Sequence, residues 1–204
     1  MIMYRYIKRF LDIVFALLGI VLFIPISILV KVSFLCLGDT GGIFFKQVRV
    51  GKDGKFFVIY KFRSMVHNAD ELLEEMLKDE KYKNAWDENQ KIENDPRITR
   101  IGKFLRKSSL DELPQILNVL KGDMSIVGPR PLVEGELEAH GGSKYYWRVK
   151  PGITGWWASH GRSDVDYDER LKMEYFYVRH MSFKLDMICI FNTIIAVIKH
   201  KGVE

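Results

Sequence analysis

The chain has 204 residues, 48% of them hydrophobic and 28% charged, which is enough for one domain with its own core and too apolar for a disordered chain. A net charge of +5 and a pI near 9.1 point toward anionic partners: a phosphorylated substrate, acidic lipid or nucleic acid. The two cysteines, Cys36 and Cys189, each lie in an apolar stretch and offer neither a disulfide framework nor zinc spacing, as expected of a reducing compartment.

Eighteen residues without a charge, Ile13 to Val30, follow Asp12. A run of this length reads as a membrane helix, with a buried core helix as the alternative. Lys31 stands where a signal peptide would need a small-residue cleavage site. Both flanks are basic: Arg5, Lys8 and Arg9 before the run, and Lys31, Lys46, Arg49 and Lys52 after it. The positive-inside rule would keep both flanks on the cytoplasmic side, which a straight spanning helix cannot do. Pro25 removes a helix hydrogen bond in mid-run. A kinked, re-entrant helix hairpin over residues 1–37 fits both flanks, with Ser27 close enough to help the freed carbonyls. An ordinary kink in a spanning helix is the other reading.

Residues 38–204 read as a compact, helix-rich α/β (α+β) domain. IFFKQVRV (Ile43 to Val50) and KFFVIYKFRSM (Lys55 to Met65) are expected strands, joined by the turn signal GKDG. Alternation puts Lys61 and Arg63 on one face of the second strand, where two cations suit a phosphate or form a solvated face. Asn68 to Asp95 holds ten acids and four lysines, so an acidic helical insertion (68–95) of charge −6 sits on a body of +11. It opens with a capping-box pattern, Asn68-Ala69-Asp70-Glu71.

Basic residues Arg100, Lys103 and Arg106 precede SSLDELPQILNVLKGD (Ser108 to Asp123). Ser109-Leu110-Asp111-Glu112 fits a second capping box, starting a helix from Ser109 to Leu120 that stops at Gly122. Asp111 and Glu112 are either the first turn of that helix or a pair that does chemistry. GDMSIVGPRP stiffens Arg130 between two prolines. KPGITGWW ends in Trp156 and Trp157, suited to a membrane interface or a buried pair. The last apolar run (183–201) is too short to span and reads as an interfacial helix, or one packed on the first helix.

Taken together, YKFRSM (Tyr60 to Met65), SLDELPQ (Ser109 to Gln115), GDMSIVGPRP (Gly122 to Pro131), KPGITGW (Lys150 to Trp156) and FKLDMICIFNTI (Phe183 to Ile194) resemble the bacterial sugar transferases, the monotopic phosphoglycosyl transferases, over nearly the whole chain. The size is similar to that family's minimal catalytic unit. The resemblance implies transfer of a phosphosugar from a UDP-sugar to undecaprenyl (polyprenyl) phosphate, releasing UMP. It also implies a re-entrant membrane helix on the cytoplasmic face of the bacterial inner membrane, a Mg2+ requirement, and a place at the start of capsule, exopolysaccharide or glycoconjugate assembly. The family's acidic dyad falls on Asp111, as covalent nucleophile, and Glu112, with both available to the metal. A carboxylate can split one hard phosphoryl transfer into two easier ones, provided cations neutralise the phosphoryl oxygens. Lys61, Arg63, Arg106 and Arg130 are the candidate phosphate contacts. Departures are Ile24-Pro25 where Ser-Pro is frequent, Glu174 where an aspartate is common, and Trp157-Ala158-Ser159 where a glutamine often follows.

SHGRSDVDYDER (Ser159 to Arg170) and FYVR (Phe176 to Arg179) look closer to hexose-type members, hence galactose or glucose 1-phosphate. A membrane-tethered module that binds anionic lipid without turnover is the rival reading. A nucleic-acid partner is not expected, because an eighteen-residue charge-free run argues against it. An oligomer is compatible with the sequence.

Overall fold

The computed structural model describes residues 2–89, 92, 94–161 and 165–199. Its longest element is α1 (Ile2–Cys36), the one described helix long and apolar enough to cross a membrane. The expected hairpin turn is not seen: α1 is a single helix that continues through Pro25. Ser27 does act there, its hydroxyl donating to the Phe23 carbonyl at 2.7 Å. One stripe of α1, Asp12, Ala16, Val30 and Phe34, is buried against the body at helical spacing. Gly19 on the same stripe comes so close to Ile116 that a Cβ would sit 3.2 Å from its methyl group. Leu17, Leu18, Val21, Leu22, Ile24, Ile28 and Leu29 form the exposed outer face.

The predicted hairpin is present. β1 (Phe44–Val50) pairs antiparallel with β2 (Phe56–Phe62), Val48 opposite Val58. The turn is a single 3-10 turn in which Asp53 and Gly54 take the left-handed conformation. β2 ends three residues before the expected Met65, which instead forms an isolated bridge with Ile98. The acidic segment folds as α2 (Ala69–Met76) and α3 (Glu80–Asn89); Lys91 and Glu93 lie outside the described residues. α2 starts where predicted, but Asn68 makes no side-chain cap.

α4 (Arg100–Lys107) is capped by Thr99, whose hydroxyl accepts from Gly102 N. The helix expected from Ser109 divides in two: a 3-10 helix, Leu110–Gln115, then α5 (Ile116–Lys121), stopped at Gly122 as anticipated. Two causes are visible. Pro114 has no N–H to give the Leu110 carbonyl, so the α pattern cannot close there. Ser109 is occupied in ending α4: it is left-handed (φ 55°), and its N–H bonds the Arg106 carbonyl, so it forms no capping box.

β3 (Ser125–Val127) pairs in parallel with β4 (Gly152–Thr154). Between them lie α6 (Glu136–Ala139) and a 3-10 turn, Lys144–Arg148. α7 (Trp156–His160), α8 (Tyr167–His180) and α9 (Phe183–Ile198) complete the chain; residues 200 and 201 of the predicted last helix are outside the described residues. The two tryptophans separate. Trp156 packs on the Val127–Tyr177–Cys189 cluster, while Trp157 lies among arginines, both half-buried rather than at an exposed edge. α9 meets α1 as one of the two readings expected, through Asp186, which accepts from Tyr4 Oη and Lys8 Nζ.

Candidate active site

Three elements build the site: β2, the end of α4, and the 3-10 helix Leu110–Gln115. The 3-10 helix docks on β2, and α5 behind it is fixed to the strand's open edge by one side chain. Fully buried Asn118 donates from Nδ2 to the Val58 carbonyl (2.6 Å) and accepts at Oδ1 from Tyr60 N (3.1 Å), occupying the place of a third strand. Lys121, one turn on, donates to Tyr60 Oη at 2.7 Å. The dyad is thereby held over the end of β2.

Lys61 Nζ lies 2.7 Å from Glu112 Oε1. Arg106, on the last turn of α4, is steered by a hydrogen bond from Nε to Ser64 Oγ (2.9 Å) and lies within electrostatic range of Asp111. Burial pushes the Asp111 carboxyl up to about 6; the Glu112 charge adds to this, and Lys61 and Arg106 oppose it. The result is a carboxylate that is still ionised at neutral pH, partly stripped of water, and faced by two cations.

Of the predicted site residues, Asp111, Glu112, Lys61 and Arg106 come together. Arg63 does not. Its side chain turns to the C-terminal end of α1, where Nη2 pairs with Asp39 (2.8 Å), Nε donates to Gly42 O (2.7 Å) and the guanidinium covers the Phe34 ring at 4.4 Å. The Arg63 contact is the main hydrogen bond that holds Asp39 down to about 2 against the cost of its desolvation. The strand alternation that paired Lys61 with Arg63 fails because β2 ends at Phe62.

Arg130 belongs to a neighbouring group. Its backbone is clamped from both sides, N–H to Glu174 Oε1 (2.9 Å) and carbonyl from Tyr146 Oη (2.8 Å). Its guanidinium lies 5.6 Å from the Trp157 ring centre, and Arg170 faces the same ring at 4.8 Å. Glu174, marked in the sequence only as a departure, is fully buried and pushed up to about 7 by that burial, its bond to Arg130 N and the two arginines restraining the rise. Sequence reasoning also missed Asn118, Arg49 and Arg170. Asn118 had a signal, a carboxamide in the apolar pattern ILNVL; the arginines had none, being 121 positions apart. The stretch used to favour a hexose includes Arg162, Ser163 and Asp164, outside the described residues.

Among the described residues no cluster of three metal-ligating side chains occurs. Asp111 and Glu112 alone suit Mg2+, which takes oxygen ligands and commonly binds through one or two carboxylates plus substrate phosphates. The like charge of Glu112 that helps raise Asp111 is the repulsion a divalent cation would relieve.

A sequence profile described as "Bacterial sugar transferase" matches residues 3–200. The chain is 48% identical to the "UDP-galactose-lipid carrier transferase" of Erwinia amylovora and 44% identical to the "Undecaprenyl-phosphate galactose phosphotransferase" of Salmonella typhimurium, each over 97% of this chain and 42% of the relative. It therefore spans less than half the length of those two. It is 41% identical to the "Exopolysaccharide production protein ExoY" of Sinorhizobium fredii, over 96% of this chain and 87% of the relative. The profile takes in α1, the dyad, the Arg130 loop and α9 without a break, so this chain belongs to the bacterial sugar transferase family.

Proposed function

We propose that this chain transfers galactose 1-phosphate from UDP-galactose to undecaprenyl phosphate, releasing UMP, at the cytoplasmic face of the bacterial inner membrane, as the opening step of exopolysaccharide, capsule or glycoconjugate assembly. The observation that carries the reaction type is Asp111: a half-buried carboxylate beside Glu112, faced by Lys61 and Arg106. The choice of sugar rests on the names of two relatives.

In the first half-reaction an Asp111 oxygen attacks the sugar-bearing phosphorus, forming an acyl phosphate. The bond to the bridging oxygen breaks, and UMP leaves with that oxygen and its electron pair. In the second, a phosphate oxygen of undecaprenyl phosphate attacks the same phosphorus and the Asp111 carboxylate is released. Lys61 and Arg106 offset the charge on the phosphoryl oxygens, a task that weighs more in a partly dry site than in water. Mg2+ held by Asp111 and Glu112 would supply further neutralisation of the phosphoryl group.

The monotopic placement of α1, with both ends on the same side of the membrane, is part of this reading. Lys8 bonds Asp186 of α9 at one end of the helix; at the other, Lys31 bonds the Thr40 and Gly41 carbonyls beside Asp39, which Arg63 ties to the end of β2. Those contacts are about 35 Å apart along the axis, more than the roughly 30 Å of a hydrocarbon core. A helix crossing the bilayer could not keep both ends on one body, whereas one lying in a single leaflet with its outer face in lipid can.

The test is UMP release by detergent-purified protein with magnesium and a panel of UDP-sugars, with and without undecaprenyl phosphate. UMP equal to enzyme without acceptor, and turnover with it, is the expected result, with UDP-galactose the best donor and Asp111→Asn silent. Turnover only when both substrates are present would overturn the covalent route, and no UMP from any donor would leave a lipid-binding module.

A further inference from the structure

The arginines around Trp157 make a second positive centre beside the dyad. Arg49, on β1, is half-buried and held by Pro131 O and Gln47 Oε1. Arg170, on α8, covers the Trp157 ring, and Arg130 faces the same ring. Glu136 is the only carboxylate ion-paired to any of the three among the described residues, at 3.9 Å from Arg49 and 3.3 Å from Arg170. Glu174, the other acid present, is pushed up to about 7 and so adds less than a full charge at neutral pH. Three guanidinium groups therefore face two carboxylates, one of them disfavoured as an anion by its burial. Arg49 registers the imbalance: burial, then the Arg130 charge, with Arg170 adding, press it down to about 10.

The hydrogen-bond pattern agrees. Arg49 Nε, Arg170 Nε and Trp157 Nε1 are buried donors without a partner among the described residues; the fourth unpaired buried side-chain atom there is Glu174 Oε2, whose other oxygen is taken by Arg130 N. Three such donors converging in one place, in a molecule whose other buried polar atoms are nearly all paired, mark a site shaped for an acceptor from outside the chain. The group also lies near the dyad, because the Glu112 charge is felt at Arg49.

We infer that Arg49, Arg130, Arg170 and the Trp157 indole N–H form a binding site for a phosphate-bearing ligand, distinct from the Lys61–Arg106 cations at Asp111, and that its occupant is the diphosphate of the UDP-sugar. This deepens the proposed function and rests on it for the identity of the ligand. Guanidinium forks match phosphate oxygens two at a time, and an indole N–H donates only, so the site suits an anion with several oxygens. The acceptor phosphate has the same chemistry, and the test separates the two.

Binding of UDP, inorganic pyrophosphate and a short-chain prenyl phosphate to the detergent-purified full chain is measured by calorimetry at fixed salt. The variants are Arg49→Gln, Arg170→Gln and Arg170→Lys. UDP has no sugar to transfer, so the readout does not depend on turnover and stands apart from the nucleophile assignment. The expected result is UDP and pyrophosphate affinity at least tenfold weaker in both Gln variants, weakened less in Arg170→Lys, with the prenyl phosphate unchanged. Loss confined to the prenyl phosphate would overturn the diphosphate assignment in favour of the acceptor. Unchanged affinity for all three ligands in folded Arg170→Lys and either Gln variant would overturn the site and leave the cluster a structural brace.

Discussion

Asn118 gives the sharpest test of how the dyad is held. Its carboxamide closes the open edge of β2 with two hydrogen bonds, to the Val58 carbonyl and from Tyr60 N, in a place with no solvent exposure. Asn118→Ala removes both partners and leaves two part-buried backbone groups unpaired, at about 1–3 kcal/mol each. The sum, about 2–6 kcal/mol, corresponds in a domain of this size to a melting temperature lower by roughly 4–24 °C. Asn118→Asp keeps the acceptor for Tyr60 but turns a carboxylate oxygen toward the Val58 carbonyl, so it should be at least as damaging at pH 7.5. The 3-10 helix bearing Asp111 runs directly into α5, so a looser α5 also shifts the nucleophile against Lys61. Misplacement by about 1 Å can cost on the order of 100-fold in rate. Thermal unfolding followed by circular dichroism, with UMP release measured on the same preparations, reads both effects. If both variants melt within about 2 °C of the parent and keep its turnover, Asn118 does not hold the dyad.

Raised to about 6, Asp111 must lose its proton to attack, so kcat/KM is expected to fall tenfold per pH unit below about pH 6 and to be flat above it; a profile level down to pH 4.5 would contradict this. The same shift has a stability sign. A carboxyl raised above its unfolded value favours the fold when protonated, and that contribution is lost as pH rises through about 6. Asp111→Asn at pH 7.5 without magnesium should therefore melt no lower than the parent, and by expectation a few degrees higher. Gly152→Ala would place a Cβ 2.1 Å from Gly128 N and 2.4 Å from Thr154 O, both backbone atoms that cannot swing away, so the β3–β4 pair should fail and soluble yield in detergent collapse. Ser109→Gly relieves a left-handed serine and should raise stability by about 0.5–1 kcal/mol without loss of turnover, checked by the same melting and UMP assays.

The local parts of the fold were legible because local rules decide them. Alternation and GKDG announced β1 and β2; the charge-free run announced α1; Gly122 announced the end of α5. Misreadings came where one residue had two possible tasks. Ser109 fits the start of a helix equally well, but ending α4 takes precedence, and Pro114 then sets the 3-10 geometry. Lys61 and Arg63 share a face only for as long as the strand lasts. Arg49 and Arg170 could not be paired in advance, because they meet through Glu136, which lies far from both in the chain.

The buried end of α1 also has a consequence in time. Asp12 finds its partners, Ser125 Oγ and Ile126 N, 113 and 114 positions later, and Lys8 finds Asp186 after 178. At about 5–20 residues per second, ribosomal synthesis reaches Ser125 roughly 6–23 s after Asp12 is made. Between the making of Cys36 and that of Ser125 the longest helix of the chain is complete, while the partners of its buried Asp12 are still to come. Early capture of α1 by lipid or a chaperone would shield its body-side stripe, so the order of events at the ribosome matters to the yield of this protein as much as the depth of its final energy minimum.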